Sequence, residues 1–278
     1  MTGAAPDELP PASAPASAEP RGEAADLKPG PTGTLPSDGR EKFVLVSLLF
    51  LWTFGGYYLI GLNYDPGQAA SLATAWDDAI PFLPIFMWAY EGVYTVILFP
   101  VFVVRCQRLF RRVIWGYFWV ATVSLVIWAL FPVAAIELRP DVTKLDPSVF
   151  HHWGVRVNYA LDPPLNLFPS LHVAIATLVV VCAYKARPAY GALAGSGAVL
   201  IALSTVFVKQ HFVVDVVGGV VLAGVVSWFT LADYDPGEEA SVADVAYSWK
   251  GVLGYGAFHL TLVVGFLALF LLDWRPFE

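Results

Sequence analysis

Charge is what this chain is short of. Only 14% of its 278 residues are Asp, Glu, Lys or Arg, against 57% hydrophobic. A soluble domain carries roughly 25% charged and roughly 45–50% apolar residues, so a water-soluble globule is excluded. Cysteine is also scarce: Cys106 and Cys182 could form one bridge at most, which rules out a disulfide framework. A basic excess is missing, since 16 Lys and Arg face 23 Asp and Glu for a net charge of -7. Such a chain exerts no long-range pull on nucleic acid, which is excluded as a partner. No internal repeat is evident. The first apolar run begins at Phe43, too late for a cleaved secretory peptide.

What the chain has instead is long apolar runs, with a mean hydropathy of +0.63. Ten Trp, twelve Tyr and nineteen Phe suit the aromatic belts at two membrane interfaces. A membrane span needs about 20 mainly apolar residues. Runs of that kind are read at Phe43–Leu62, Phe82–Val104, Val113–Ile136, Ser170–Tyr184, Ala189–Val208, Phe212–Leu231 and Val252–Leu272. The fourth is short, and the fifth and sixth are divided only by Lys209-Gln210-His211. The expected fold is an all-α polytopic membrane bundle of six core helices with a seventh added. Residues 1–42, rich in Pro, Ala, Ser and Gly, read as a disordered cytoplasmic tail. Residues 43–231 form the six-helix domain, 232–250 an acidic cytoplasmic linker, and 251–278 the extra helix and a short tail.

Loop charge sets the expected orientation. Arg40, Lys42, Arg105, Arg108, Arg111, Arg112, Lys185 and Arg187 fall on one side, and Asp65, Asp77 and Asp78 on the other. The N-terminus is then cytoplasmic, and the segment 137–169 and the turn at 209–211 lie outside. Both cysteines fall near the cytoplasmic face, as reduced packing residues. Composition suggests a bacterial inner membrane.

Ionisable groups at membrane depth are costly and mostly paired or functional. His211 and Asp215, four apart, share one helix face. An Asp bonded to one ring nitrogen fixes the tautomer and frees the other nitrogen. His172, Arg139 and Lys209 fall at the same outer interface. Two His, one Asp and two cations suit a phosphate: the cations hold the anion, one His attacks, the other supplies the proton. The amino end of the fourth span would add backbone N–H groups. Zinc could use two His and an Asp, but Arg139 and Lys209 would repel it; no metal or other cofactor is expected.

Two segments carry a family resemblance. Asn166-Leu-Phe-Pro-Ser-Leu-His172 resembles the Pro-Ser-x-His motif of the type 2 phosphatidic acid phosphatase superfamily. Ser204-Thr-Val-Phe-Val-Lys-Gln-His211-Phe-Val-Val-Asp215 resembles its Ser-Arg-x5-His-x3-Asp motif. Thr205 replaces the usual Arg, and Pro132 stands where the family's first motif, ending here at Arg139-Pro140, has Lys. Phe-Pro-Ser-Leu-His, Lys-Gln-His-x3-Asp and the Asp78–Pro84 stretch are most similar to the inositol phosphorylceramide synthase branch. The resemblance covers about residues 43–231. It implies a histidine nucleophile at His211, oriented by Asp215, with His172 protonating the leaving group. Arg139, Lys209 and Ser170 would hold the phosphoryl oxygens, assisted by Ser204. The implied activity is a metal-independent lipid phosphate phosphatase or phosphotransferase acting through a phosphohistidine on the extracytoplasmic face. Its substrate is a lipid phosphate or phospholipid in the bilayer. With water as acceptor it is a phosphatase; with a lipid hydroxyl, a headgroup transferase.

The rival from another class is a proton-coupled lipid transporter or scramblase. A proton relay would spread ionisable groups through the membrane depth, and most spans are nearly free of them. Other polar residues have plainer readings. His151-His152 is an exposed feature of the outer loop, and His259 is a packing residue. Asp77 and Asp78 cap the second span or sit at a solvated edge, and Asp233–Glu239 is a solvated linker.

Overall fold

The computed structural model describes residues 35–162, 164–242 and 250–276. Of the expected tail, residues 1–34 lie outside the described residues, and Gly39–Lys42 belong to the first helix instead. The described residues are helical, with no strand beyond two isolated bridges, Pro36 to Cys106 and Ala70 to Val133. The chain order is α1 (Gly39–Leu62), α2 (Ala75–Ala79), α3 (Met87–Tyr90), α4 (Val93–Val96), α5 (Phe99–Val103), α6 (Gln107–Leu130) and α7 (Phe150–Leu161). It continues with α8 (Leu171–Ala186), α9 (Pro188–Phe207), α10 (Val213–Leu231), α11 (Pro236–Val242) and α12 (Lys250–Leu271).

Among the described residues five helices are long and apolar enough to cross a membrane: α1, α6, α9, α10 and α12. A 24-residue helix such as α1 is about 36 Å long, enough for a hydrocarbon core about 30 Å thick. The protein is therefore built as a multi-pass membrane protein. Helix α8, at 16 residues, is shorter than a full span yet mainly apolar.

The second expected span is where the structure departs from the sequence reading. Residues 84–103 are not one helix but a 3-10 turn, Pro84–Phe86, followed by α3, α4 and α5. Pro100 has no N–H for the helical ladder. The Thr95 hydroxyl donates to the Gly92 carbonyl, and the Gly92, Tyr94 and Thr95 amides bond three residues back. A Cβ on Gly92 would come within 2.9 Å of the Ala89 carbonyl oxygen. An apolar run of the right length is thus broken by its own backbone chemistry.

Helix α8 is the axis of the bundle, packing on α6, α9 and α10. Small residues allow the close approach. A Cβ on Gly219 of α10 would meet the Ser170 carbonyl at 2.6 Å, and one on Gly191 of α9 the Tyr184 Cβ at 2.7 Å. Gly195, four residues on, makes no such tight contact. Cys106 and Cys182 are both buried and unbridged. Outward faces are apolar: Phe43, Leu51, Leu59, Trp228 and Phe229 are exposed. Helix α12 buries no residue, but it packs on α5 and α7. There His259 is partnered, its Nδ1 lying 2.9 Å from the Thr95 hydroxyl.

The two bundle ends differ. Helices α8 and α10 both start at the end that carries the histidines. That end is roofed by α7, so His151 and His152 sit on a helix rather than in a loop. The helix forms because Trp153, Val155 and Val157 find buried positions. At the opposite end the acidic run 233–239 is docked through Tyr234 and Glu239, while Asp233 and Asp235 stay exposed. Arg112 pairs with Asp233, and Arg108 with Glu238 at 2.8 Å. The bond from Arg112 holds the Asp233 carboxyl down to about 2. Glu239 is buried and accepts the amides of Arg105 at 2.5 Å and Cys106 at 2.7 Å. It caps the start of α6, where Cys106 offers no side-chain cap. Lys42 of α1 closes the same corner, donating to the carbonyls of Val101 at 2.9 Å and Val104 at 2.5 Å.

Glu239→Ala leaves two buried amides without acceptors and is expected to cost about 1–3 kcal/mol, read as a lower unfolding temperature in detergent. Asp233→Ala, at an exposed pair, should leave that temperature nearly unchanged.

Candidate active site

The site is built from the starts of α8 and α10 and the turn before α10. Ser170 is the N-cap of α8, its hydroxyl accepting the Val173 amide at 3.4 Å, and places His172 in the first turn. In the turn after α9 the amides of Gln210 and His211 both bond the Thr205 carbonyl, at 3.0 and 3.1 Å. Lys209 takes the left-handed conformation, φ 55°, that this tight reversal needs. Asp215 lies in the first turn of α10. Its Oδ2 accepts the Phe212 amide at 2.8 Å, and its carbonyl accepts the Ser170 amide at 3.0 Å. One residue thereby ties the two helix starts together.

These ties align three side chains. Asp215 Oδ2 lies 3.4 Å from His211 Nδ1, and His211 Nε2 lies 3.4 Å from His172 Nδ1. The first contact is a close approach rather than an aligned hydrogen bond, because His211 Nδ1 and Asp215 Oδ1 are buried without a hydrogen-bond partner. His211 is 5% exposed and Asp215 fully buried. The His172 ring stacks on Tyr90 with centroids 4.5 Å apart and meets the edge of Tyr94 at 6.1 Å.

Both histidines line a cavity of about 480 Å³, within the usual range for small-ligand sites. Arg139, Asp162, Glu91 and Asn158 also line it; most of its wall is apolar, with Leu49, Phe54, Ile97 and Ile114 among the lining residues. Arg139 donates through Nη1 to the Asp162 carbonyl at 2.9 Å and through Nη2 to the Gln210 side chain. Its guanidinium sits 4.5 Å over the Tyr159 ring, and its Nε is buried without a partner.

Three other expected phosphate ligands are not brought to the cavity. Lys209 Nζ donates to the carbonyls of Asp77 and Ile80, both at 2.6 Å, and clamps the end of α2. Burial lowers its ammonium from the ordinary value, while Asp77 and Asp78 oppose that. The Ser204 hydroxyl is buried and donates to the Ile201 carbonyl at 2.6 Å, inside its own helix. Ser170, fully buried, is engaged as the cap of α8. Thr205 is likewise turned inward, its hydroxyl donating to Ala202 at 2.8 Å.

Sequence reasoning missed several residues. Asp77 caps α2 rather than the second span: its Oδ2 accepts the amide and hydroxyl of Thr74, both at 2.7 Å. Its Oδ1 accepts the Val213 amide at 2.8 Å and so also anchors the start of α10. The Thr-x-x-Asp spacing was the available signal. Asp162 accepts hydroxyl bonds from Tyr57 and, at 3.1 Å, from Tyr90. Asn158 Nδ2 donates to Glu91 at 3.0 Å, while its Oδ1 accepts from Gln210. No sequence signal links these partners. Among the described residues no group of three or more His, Cys, Asp or Glu is arranged to hold a metal ion.

Comparison with known proteins shows the family. The PAP2 superfamily profile matches residues 67–229, more than half of the chain, and the chain belongs to that superfamily. It is similar to a PA-phosphatase related-family protein of Dictyostelium discoideum, with 27% identity over 121 residues, or 42% of this chain. The match covers only 22% of that longer protein. No solved structure matches the chain.

Lys209→Met removes two charge-assisted bonds to buried carbonyls and is expected to lose about 1.5–3 kcal/mol of stability, measured by thermal unfolding. If Lys209 bound substrate phosphate instead, the variant would raise KM at unchanged unfolding temperature.

Proposed function

We propose that this protein is a membrane-embedded lipid phosphatase or phosphotransferase that works through a phosphohistidine at His211. The observation that carries the reading is the alignment of Asp215, His211 and His172 at a largely apolar cavity that Arg139 also lines. The apolar wall suits a lipid chain, and the polar lining residues suit its phosphoryl group.

In this reading Asp215 keeps the proton of His211 on Nδ1, which leaves the Nε2 lone pair to attack phosphorus. The N–P bond forms as the bond to the departing lipid alcohol breaks. His172 gives that alkoxide its proton. In the second half His172 takes a proton from the acceptor hydroxyl, which attacks phosphorus and frees His211. Arg139 and the opening amides of α8 meet the charge on the phosphoryl oxygens. Water as acceptor makes a phosphatase. A lipid hydroxyl makes a headgroup transferase, the activity implied by the likeness to inositol phosphorylceramide synthases. The basic loops argue for a cytoplasmic N-terminus and an active site on the outer face, and composition for a bacterial inner membrane.

His211→Ala is expected to abolish release of phosphate from phosphatidic acid by the purified protein and to leave its unfolding profile intact. Retained activity would remove His211 as nucleophile. His172→Ala should lose about 10²–10⁴-fold with a lipid substrate. The loss should be much smaller with p-nitrophenyl phosphate, whose leaving group needs no proton. Incubation with ceramide and a labelled phospholipid separates the acceptors, because a labelled sphingolipid product identifies a transferase and water-soluble label alone a phosphatase.

A further inference from the structure

Helix α12 lies beyond residues 67–229, the stretch that carries the superfamily match, and no step of the proposed chemistry uses it. Apolar faces gain little by leaving lipid for one another, so a spanning helix is held by close packing and hydrogen bonds. Gly251, Tyr255, His259, Phe266 and Phe270 share one face of α12 by spacing. That face is held along the whole broken run, from Phe102 back to Trp88. A Cβ on Gly251 would collide with the Phe102 carbonyl oxygen. The Tyr255 ring stands edge-on to Phe99, with centroids 5.0 Å apart. The Phe266 ring lies 6.1 Å from Trp88, and the Phe270 ring 5.2 Å from Phe150 of α7. Just past the helix, Trp153 Nε1 donates to the Trp274 carbonyl at 2.8 Å.

Near the middle of that face is a polar cluster. Thr95 is buried, and its hydroxyl oxygen lies 2.9 Å from His259 Nδ1 and 3.2 Å from the Tyr255 hydroxyl. A hydroxyl has one proton and two lone pairs. Thr95 spends its proton on the Gly92 carbonyl, at 2.9 Å, so both groups of α12 donate to it. Thr95 is thereby saturated, and His259 carries a proton on Nδ1. A histidine in mid-span is costly to keep for packing alone. What Thr95 belongs to gives the contact its consequence. The Gly92, Tyr94 and Thr95 amides bond three residues back, a pattern with poorer geometry than the α-helical ladder. The same turns carry Tyr90 and Tyr94, whose rings lie 4.5 and 6.1 Å from the His172 ring. Helix α12 also reaches the cavity itself, with Phe266 among the lining residues.

Resting on the phosphohistidine reading above, we propose that α12 is a positioning element of the active site. Tyr255 and His259 hold Thr95, and with it the short turns that carry Tyr90 and Tyr94, in the place that aligns His172 for proton transfer. Tyr255 and His259 are positioning residues, since their effect passes through the two tyrosine rings to His172.

The full-length protein in detergent micelles provides the test. His259→Leu removes the donor and keeps an apolar side chain in the span. It should lower kcat for phosphatidic acid about 10–100-fold, the scale of a displaced catalytic group, with KM nearly unchanged. The first-turnover burst of p-nitrophenolate from p-nitrophenyl phosphate needs no proton from His172 and should be retained. His259→Asn offers an N–H donor close to the position of Nδ1 and should restore most of the lipid turnover. Full lipid kcat in His259→Leu overturns this inference and leaves the phosphohistidine reading standing. So does an equal loss on both substrates, or a loss that His259→Asn does not repair, since either marks a purely structural helix. If His259→Leu yields no folded protein, Thr95→Val and Thr95→Ser question the same hydrogen bonds from the other side. Only the serine variant should keep lipid turnover, and equal turnover in the two overturns the inference. A wild-type protein with no turnover and no labelled phosphoenzyme overturns both readings.

Discussion

The site depends on the way Asp215 is used. Its carboxylate accepts the Phe212 amide, its backbone carbonyl accepts the Ser170 amide, and its Oδ2 faces His211. One residue therefore fixes the start of α10, joins it to the start of α8, and lies against the histidine between them. Because α8 begins at Ser170, the same join fixes where His172 stands. Loss of the carboxylate would free the Phe212 amide at the start of α10 as well as the space beside one ring.

Around that point the chain uses its few ionic groups to close backbone ends. Asp77 and Lys209 work as a pair in space: the carboxylate takes the first amide of α10, and the ammonium takes the last carbonyls of α2. At the other end Glu239 and Lys42 do the same for the corner between α5 and α6. Buried amides and carbonyls near or within a bilayer have little water to bond, so each unsatisfied one is expensive. Charged side chains that serve this purpose are removed from the pool available to a ligand. That explains why a chain with cations at suggestive places leaves one guanidinium at its cavity.

The broken run at 84–103 has a comparable consequence. Its turns place Tyr90, Glu91 and Tyr94 at the cavity and let Thr95 meet α12 through His259. Partners at the cavity, Asp162 with Tyr57 and Asn158 with Gln210, are separated by 105 and 52 residues. Nothing local encodes such pairs.

How much was legible follows from the range of each interaction. Helix class, the apolar runs, the turn at 209–211 and the His211–Asp215 spacing rest on neighbours within one or two helical turns, and the sequence alone determined them. It likewise determined the superfamily, through two motifs that each need only local chain to form. The tertiary structure alone decided which ionic groups meet the cavity and which meet backbone. Lys209 shows the reason. It stands two residues before the nucleophile candidate His211, which places it beside the phosphate on spacing alone. Its left-handed backbone instead sends its ammonium to carbonyls 132 and 129 residues away in the chain. Those carbonyls come within reach only when α2 packs beside the turn, and that packing is a property of the folded bundle.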